Sequence, residues 1–98
     1  MAPSKHDEIA NRIAKKEGTE YNQGQGPDIR TSRRIIEVAT HEGDLKDSIR
    51  QLQDFRKPRY IATKSTMLKQ ARQMTQGTKI GVMGPTGRIA KRAGGGGR

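Results

Sequence analysis

Apolar residues recur along this chain with two periods, and the switches between them outline its elements. Ile9, Ala10, Ile13 and Ala14 fall at helical spacing and predict a first helix. Ser4 stands where a cap belongs, with Asp7 three residues on. Gly18 closes the helix, after Lys15 and Lys16 in its last turn. Residues 19–27 carry two glycines, an Asn and a Pro and read as a loop or irregular hairpin arm. Ile29 opens a short strand, Thr31-Ser32 a turn, and residues 35–39 the main strand. Strand alternation puts Ile35, Glu37 and Ala39 on one face and Ile36, Val38 and Thr40 on the other. Apolar residues on both faces predict a strand covered on both sides.

After a loop over residues 41–44, capped by Asp44, the positions Leu45, Ile49, Leu52 and Phe55 or Arg56 predict a second helix that Pro58 ends. Residues 59–63 read as a strand parallel to the main one, because a helix separates the two. Ser65 or Thr66 caps a third helix with Met67, Leu68, Ala71 and Met74 inward, and Gly77 is its expected C-cap. Residues 78–83 and 88–91 form a closing hairpin about Gly84-Pro85-Thr86-Gly87. The expectation is an α/β fold, a small mixed sheet flanked by helices: one domain over residues 1–92 and a flexible, Gly-rich basic tail over 93–98.

Composition narrows the function. With 98 residues, 30% hydrophobic and 3% aromatic, the core must be built from Ile, Val, Leu, Met and Ala. The absence of cysteine excludes disulfides, thiolate metal sites and a cysteine nucleophile. No apolar run predicts a membrane span or signal peptide, so a soluble cytoplasmic or nucleoid-associated protein is expected, without a membrane partner. A formal charge of +10, from 20 Lys and Arg against 10 Asp and Glu, points to nucleic acid, DNA or RNA. Arg30, Arg33, Arg34, Arg56, Lys57, Arg59 and Lys64 are the candidate phosphate contacts. No P-loop or dinucleotide fingerprint is present. Neither histidine has a metal-ligand spacing, and His6 and His41 read as surface residues. Tyr21 either stacks on a base or packs over the end of the first helix.

Pro27-Asp28 before a strand carrying Glu37 resembles the motif of the PD-(D/E)XK, restriction-endonuclease-like nucleases. The resemblance implies a restriction-endonuclease-like core over roughly residues 5–91. It also implies metal-binding carboxylates at Asp28 and Glu37, joined by Glu8 from the first helix, with Mg²⁺ as the cofactor. Gln51, four residues before Phe55, is similar to the QxxxY element of RecB-type members. The family's lysine falls at Ala39, which has neither donor nor charge. Lys46 and Lys64 are the candidates to reach in instead, which makes Asp28, Glu37, Gln51 and Lys64 the implied catalytic set. On the residues alone, Glu37 equally pairs with Arg33, Arg34 or Lys64, or meets water. Three functions follow: a nucleic-acid-binding protein on a nuclease-like scaffold with a weakened site, an active Mg²⁺-dependent endonuclease, or a basic protein of a ribosome or other ribonucleoprotein. Nucleases of this fold often pair, so a homodimer is among the expected partners.

Overall fold

The computed structural model describes residues 4–22, 27–53 and 56–94. Among them, helix α1 (Lys5–Glu17) precedes strands β1 (Ile29–Arg30) and β2 (Ile35–Ala39). Helix α2 (Glu42–Leu52), strand β3 (Arg59–Thr63), a 3-10 turn (Ser65–Met67), helix α3 (Leu68–Met74) and strands β4 (Gly81–Met83) and β5 (Ile89–Lys91) follow. The five strands form one mixed sheet in the order β1-β2-β3-β4-β5. The central pairs β2–β3 and β3–β4 are parallel, and both outer pairs are antiparallel. The chain is therefore α/β, with a small mixed sheet flanked by helices.

Strand alternation divides the core in two. Ile36, Val38, Tyr60, Ala62 and Met83 face α1, whose Ile9, Ala10, Ile13 and Ala14 cover them. Ile35, Ala39, Ile61, Ile80 and Val82 pack with Leu45 and Leu52 of α2, and with Met67 and Ala71 around α3. The β2–α2–β3 and β3–α3–β4 crossovers move the same way across the sheet, so a shared hand puts both helices on one face. That leaves the opposite face to α1.

The first helix begins as expected, with Ser4 Oγ accepting from Asp7 N–H at 3.1 Å. It ends at Gly18, whose φ of 78° suits a residue without Cβ. The second helix starts earlier than the Asp44 cap implied. Its N-cap is His41, without a side-chain cap bond, and Glu42 and Asp44 occupy the first turn, where negative charge suits the dipole. It ends at Leu52, and the expected Phe55 contact lies outside the described residues. The 3-10 turn and α3 likewise begin without a side-chain cap bond, although Ser65 or Thr66 was the expected cap.

The third helix stops at Met74, ahead of Gly77, because Thr75 Oγ1 turns back onto Ala71 O (2.9 Å) and Arg72 O (3.3 Å). Strand β4 then starts at Gly81, later than residue 78. The preceding carbonyls are claimed by Lys91, whose Nζ donates to Thr75 O (2.8 Å), Thr78 O (3.4 Å) and Ile80 O (2.7 Å). Burial pulls the pKa of that amine below the ordinary lysine value. The tail expected from residue 93 begins docked: Ala93 N–H donates to Tyr60 Oη (3.3 Å) and Gly94 N–H to Lys79 O (2.6 Å).

Candidate functional site: an acid cleft at the β1 edge

The hairpin β1–β2 creates the site by ending early. Its register pairs Ile29 with Ile36 and Arg30 with Ile35. One step back along that register sets Asp28 opposite Glu37. There the side chain replaces the backbone ladder, and Asp28 Oδ2 accepts from Val38 N–H at 2.9 Å. Glu37 alternates with Ile35 and Ala39, so it belongs to the face covered by α2, and it is only 8% exposed. On α2, Asp44, Asp47, Ser48 and Gln51 recur at the spacing of one helix face and line the same cleft. With His6, Asp28, Glu37 and Val38 they enclose an open space of about 220 Å³.

Burial is the main force on Glu37. Together with the charge of Asp28 and a hydrogen bond to it, burial pushes the Glu37 pKa up to about 8. The Glu37 carboxyl therefore keeps its proton at neutral pH, hydrogen-bonded to Asp28. Two adjacent carboxylates in an open cleft are a donor set that suits Mg²⁺, which binds through one or two carboxylates and keeps several of its waters. Among the described residues, no group of three or more His, Cys, Asp or Glu converges to form a closed metal cage.

The first helix contributes a residue that its sequence position did not advertise. His6 Nε2 lies 3.3 Å from Asp28 Oδ2. Its Nδ1 meets the Tyr21 hydroxyl at 3.1 Å, and that hydroxyl donates to Asp7 Oδ1 at 3.0 Å. Tyr21 is thus half-buried against the α1 side of the core, with its hydroxyl at the first turn of α1. Burial, the bond to Asp7 and the charges of Asp28, Asp7 and Glu37 push its pKa up to about 12. His6 is therefore no plain surface histidine. The link to Asp28 joins residues 22 positions apart, which no local spacing reveals. The polar stripe 44, 47, 48, 51 beside the apolar 45, 49, 52 was a visible signal for the α2 wall.

The other expected site residues lie elsewhere, apart from Gln51, which lines the cleft. Glu8 is exposed and stands 3.9 Å from Lys5 Nζ, outside the cleft lining. Lys64 follows the C-terminal end of β3, and Lys46 is exposed on α2; neither lines the cleft. Ala39 is fully buried in the α2-side core. The lining thus holds carboxylates and an imidazole but, among the described residues, no lysine or arginine.

The cations gather further along the same edge. Thr31 Oγ1 accepts from Arg33 N–H and Arg34 N–H, both at 3.1 Å, and shapes the β1–β2 turn. Lys57 Nζ donates to Thr31 O at 3.2 Å, and Ile35 N–H to Pro58 O at 2.9 Å, which join the segment before β3 to that turn. Arg33, Arg56 and Lys57 are exposed there. Arg59 lies partly buried, with Nη1 on Lys57 O at 3.4 Å and Nε without a partner among the described residues. Arg34 is drawn inward: its Nε lies 3.6 Å from Glu17, and its guanidinium sits 5.4 Å from the Tyr60 ring centre. Arg30, exposed on β1, shares the face of Asp28 and lies two residues, roughly 7 Å, along the strand from it.

Comparison with family models, curated proteins and solved structures finds no match for the chain. No helix among the described residues is long and apolar enough to cross a membrane.

Proposed function

We propose that this chain is a nucleic-acid-binding protein on a nuclease-like scaffold, whose acid pair lacks a cationic helper. The observation that carries this reading is the Lys57–Thr31 contact. It brings two basic segments, residues 30–34 and 56–59, to one end of the sheet edge. Arg33, Arg56 and Lys57 are exposed at that end, and Arg30 is exposed on β1 between it and Asp28. A phosphate backbone laid along this edge meets cations first and the acid cleft next. The working place in this reading is the cytoplasm or nucleoid.

Asp28 and Glu37 would hold the Mg²⁺ of such a site, with Gln51 and Ser48 on the opposite wall. When bound, the cation supplies charge neutralisation at a phosphate and acidifies a water. Cleavage also calls for a donor to meet developing negative charge, and losing one such donor typically costs on the order of 10²–10³ in rate. No lysine or arginine among the described residues of the lining fills that role.

The test is binding to single- and double-stranded DNA and RNA across a salt series. About four neutralised phosphates give a slope of log affinity against log salt of roughly −3 to −4. Binding indifferent to salt, or none at low salt, defeats the reading. Natural, Ala39→Lys and Glu37→Ala forms are then compared on plasmid with Mg²⁺. Little or no cleavage by the natural chain is expected. Vigorous cleavage that vanishes in Glu37→Ala promotes a working endonuclease, which the facing of Asp28 and Glu37 favours as the second reading.

A further inference from the structure

We infer, resting on the cation reading of the cleft, that His6 is a positioning residue. Backed by Tyr21, it fixes the Asp28 carboxylate so that Oδ1 is the oxygen turned toward a divalent cation. Two contacts hold Asp28. Oδ2 takes the Val38 backbone N–H at 2.9 Å and lies 3.3 Å from His6 Nε2. The first contact anchors the carboxylate to β2. Alone, it would leave the carboxyl torsion in the broad, two-fold well typical of Asp. The second approaches the same oxygen from α1 and removes that freedom. With Oδ2 committed on both sides, Oδ1 is left for Glu37 and for a ligand in the cleft.

His6 is itself held. Its Nδ1 meets the Tyr21 hydroxyl at 3.1 Å, and the rings lie 5.8 Å apart, tilted by 49°. Tyr21 packs against the α1 side of the core and also contacts Asp7 Oδ1 at 3.0 Å. With the phenolic proton on Asp7, the imidazole presents Nδ1–H to the phenol oxygen, and the doubly protonated ring also donates from Nε2 to Asp28 Oδ2. Outer partners that orient a ligand carboxylate typically matter by about 10–100-fold in metal affinity. The nuclease resemblance pointed to Glu8 for the α1 contribution, but Glu8 is exposed beside Lys5. The residue of α1 that touches the acid pair is His6.

Mn²⁺ binding to the full chain, followed by the paramagnetic resonance of free Mn²⁺, tests this without any cleavage assay. His6→Ala should weaken binding about 10–100-fold. Tyr21→Phe, which frees Nδ1 but keeps Nε2, should weaken it less. His6→Gln, whose amide nitrogen replaces Nε2, should restore affinity to within severalfold of the natural chain. Rescue by Gln is what a purely structural histidine would not show. Circular dichroism identifies any variant that fails to fold, and the Gln and Phe forms carry the test if the Ala form does. Unchanged Mn²⁺ affinity in the folded His6 and Tyr21 variants, with loss in Asp28→Asn, overturns the positioning role and leaves the cation site standing. No Mn²⁺ binding by the natural chain at millimolar cation, with salt-dependent nucleic-acid binding intact, overturns the cation site and the inference with it.

Discussion

The two ends of the β1–β2 hairpin carry opposite chemistry on one strand pair. At the turn, Arg33 and Lys57 are exposed, and Lys57 Nζ is held by the Thr31 carbonyl. At the open end, Asp28 is partly buried and Glu37 almost fully, each beside the other's charge. Exposed cations cost little to keep charged and act at a distance of about one Debye length. Buried carboxylates must find a proton, a donor or a cation. The turn therefore offers charge that acts at a distance, and the cleft a confined acid pair that calls for a partner.

Charge reversal at the turn should have the largest effect. Arg33→Glu with Lys57→Glu is expected to lower nucleic-acid affinity by at least about 100-fold at low salt and to flatten the salt slope. Asp28→Asn should leave both nearly unchanged. A comparable loss in Asp28→Asn would erase the division of labour between the two ends.

The middle of the effect scale lies under the turn. Arg34 rests over Tyr60, and the Tyr60 ring occupies the space where a side chain at position 81 would stand. A Cβ on Gly81 would come within 2.5 Å of that ring and 2.6 Å of Lys91 O. Gly81→Ala should cost about 1–3 kcal/mol by overpacking and shift the ring away from Arg34. Denaturant unfolding measures the cost. A stability equal to that of the natural chain would show that Tyr60 is free to move and does not brace the turn.

Much of this arrangement could be read in the residues. The run Ile35-Ile36-Glu37-Val38-Ala39 gave a two-faced strand, and the short turn after Arg30 already placed Asp28 near Glu37. The helical stripes gave α1 and α3 their inward faces. Contacts between distant segments were not legible. His6 meets Asp28 only because α1 packs on one face of the sheet while β1 ends at its edge. The start of α2 was misplaced because Asp44 is a good cap by type but lies within the first turn and lines the cleft. The shortening of β4 depends on Lys91, which arrives from a later strand to take the carbonyls before it.

A last test separates the two ends by pH. Glu37 titrates near 8 in the folded chain, against 4.5 for an ordinary glutamate. Its folded pKa is raised, so between these values the native state binds the proton that the unfolded chain releases. Stability from this group is full below about pH 4.5, declines as pH rises and is lost by about pH 8. Glu37→Gln keeps the shape of the protonated acid and cannot titrate. The natural chain should therefore lose melting temperature relative to Glu37→Gln as pH goes from 5 to 8, in metal-free buffer. Nucleic-acid affinity, proposed to rest on the exposed cations of the turn, should not follow the same curve. If the cleft binds a cation as proposed, added Mn²⁺ should offset the loss at pH 8, because it would neutralise the charge left by the released proton. Parallel melting curves for the natural and Gln forms across the whole range would mean that Glu37 ionises freely, and the coupling to Asp28 would have to be abandoned.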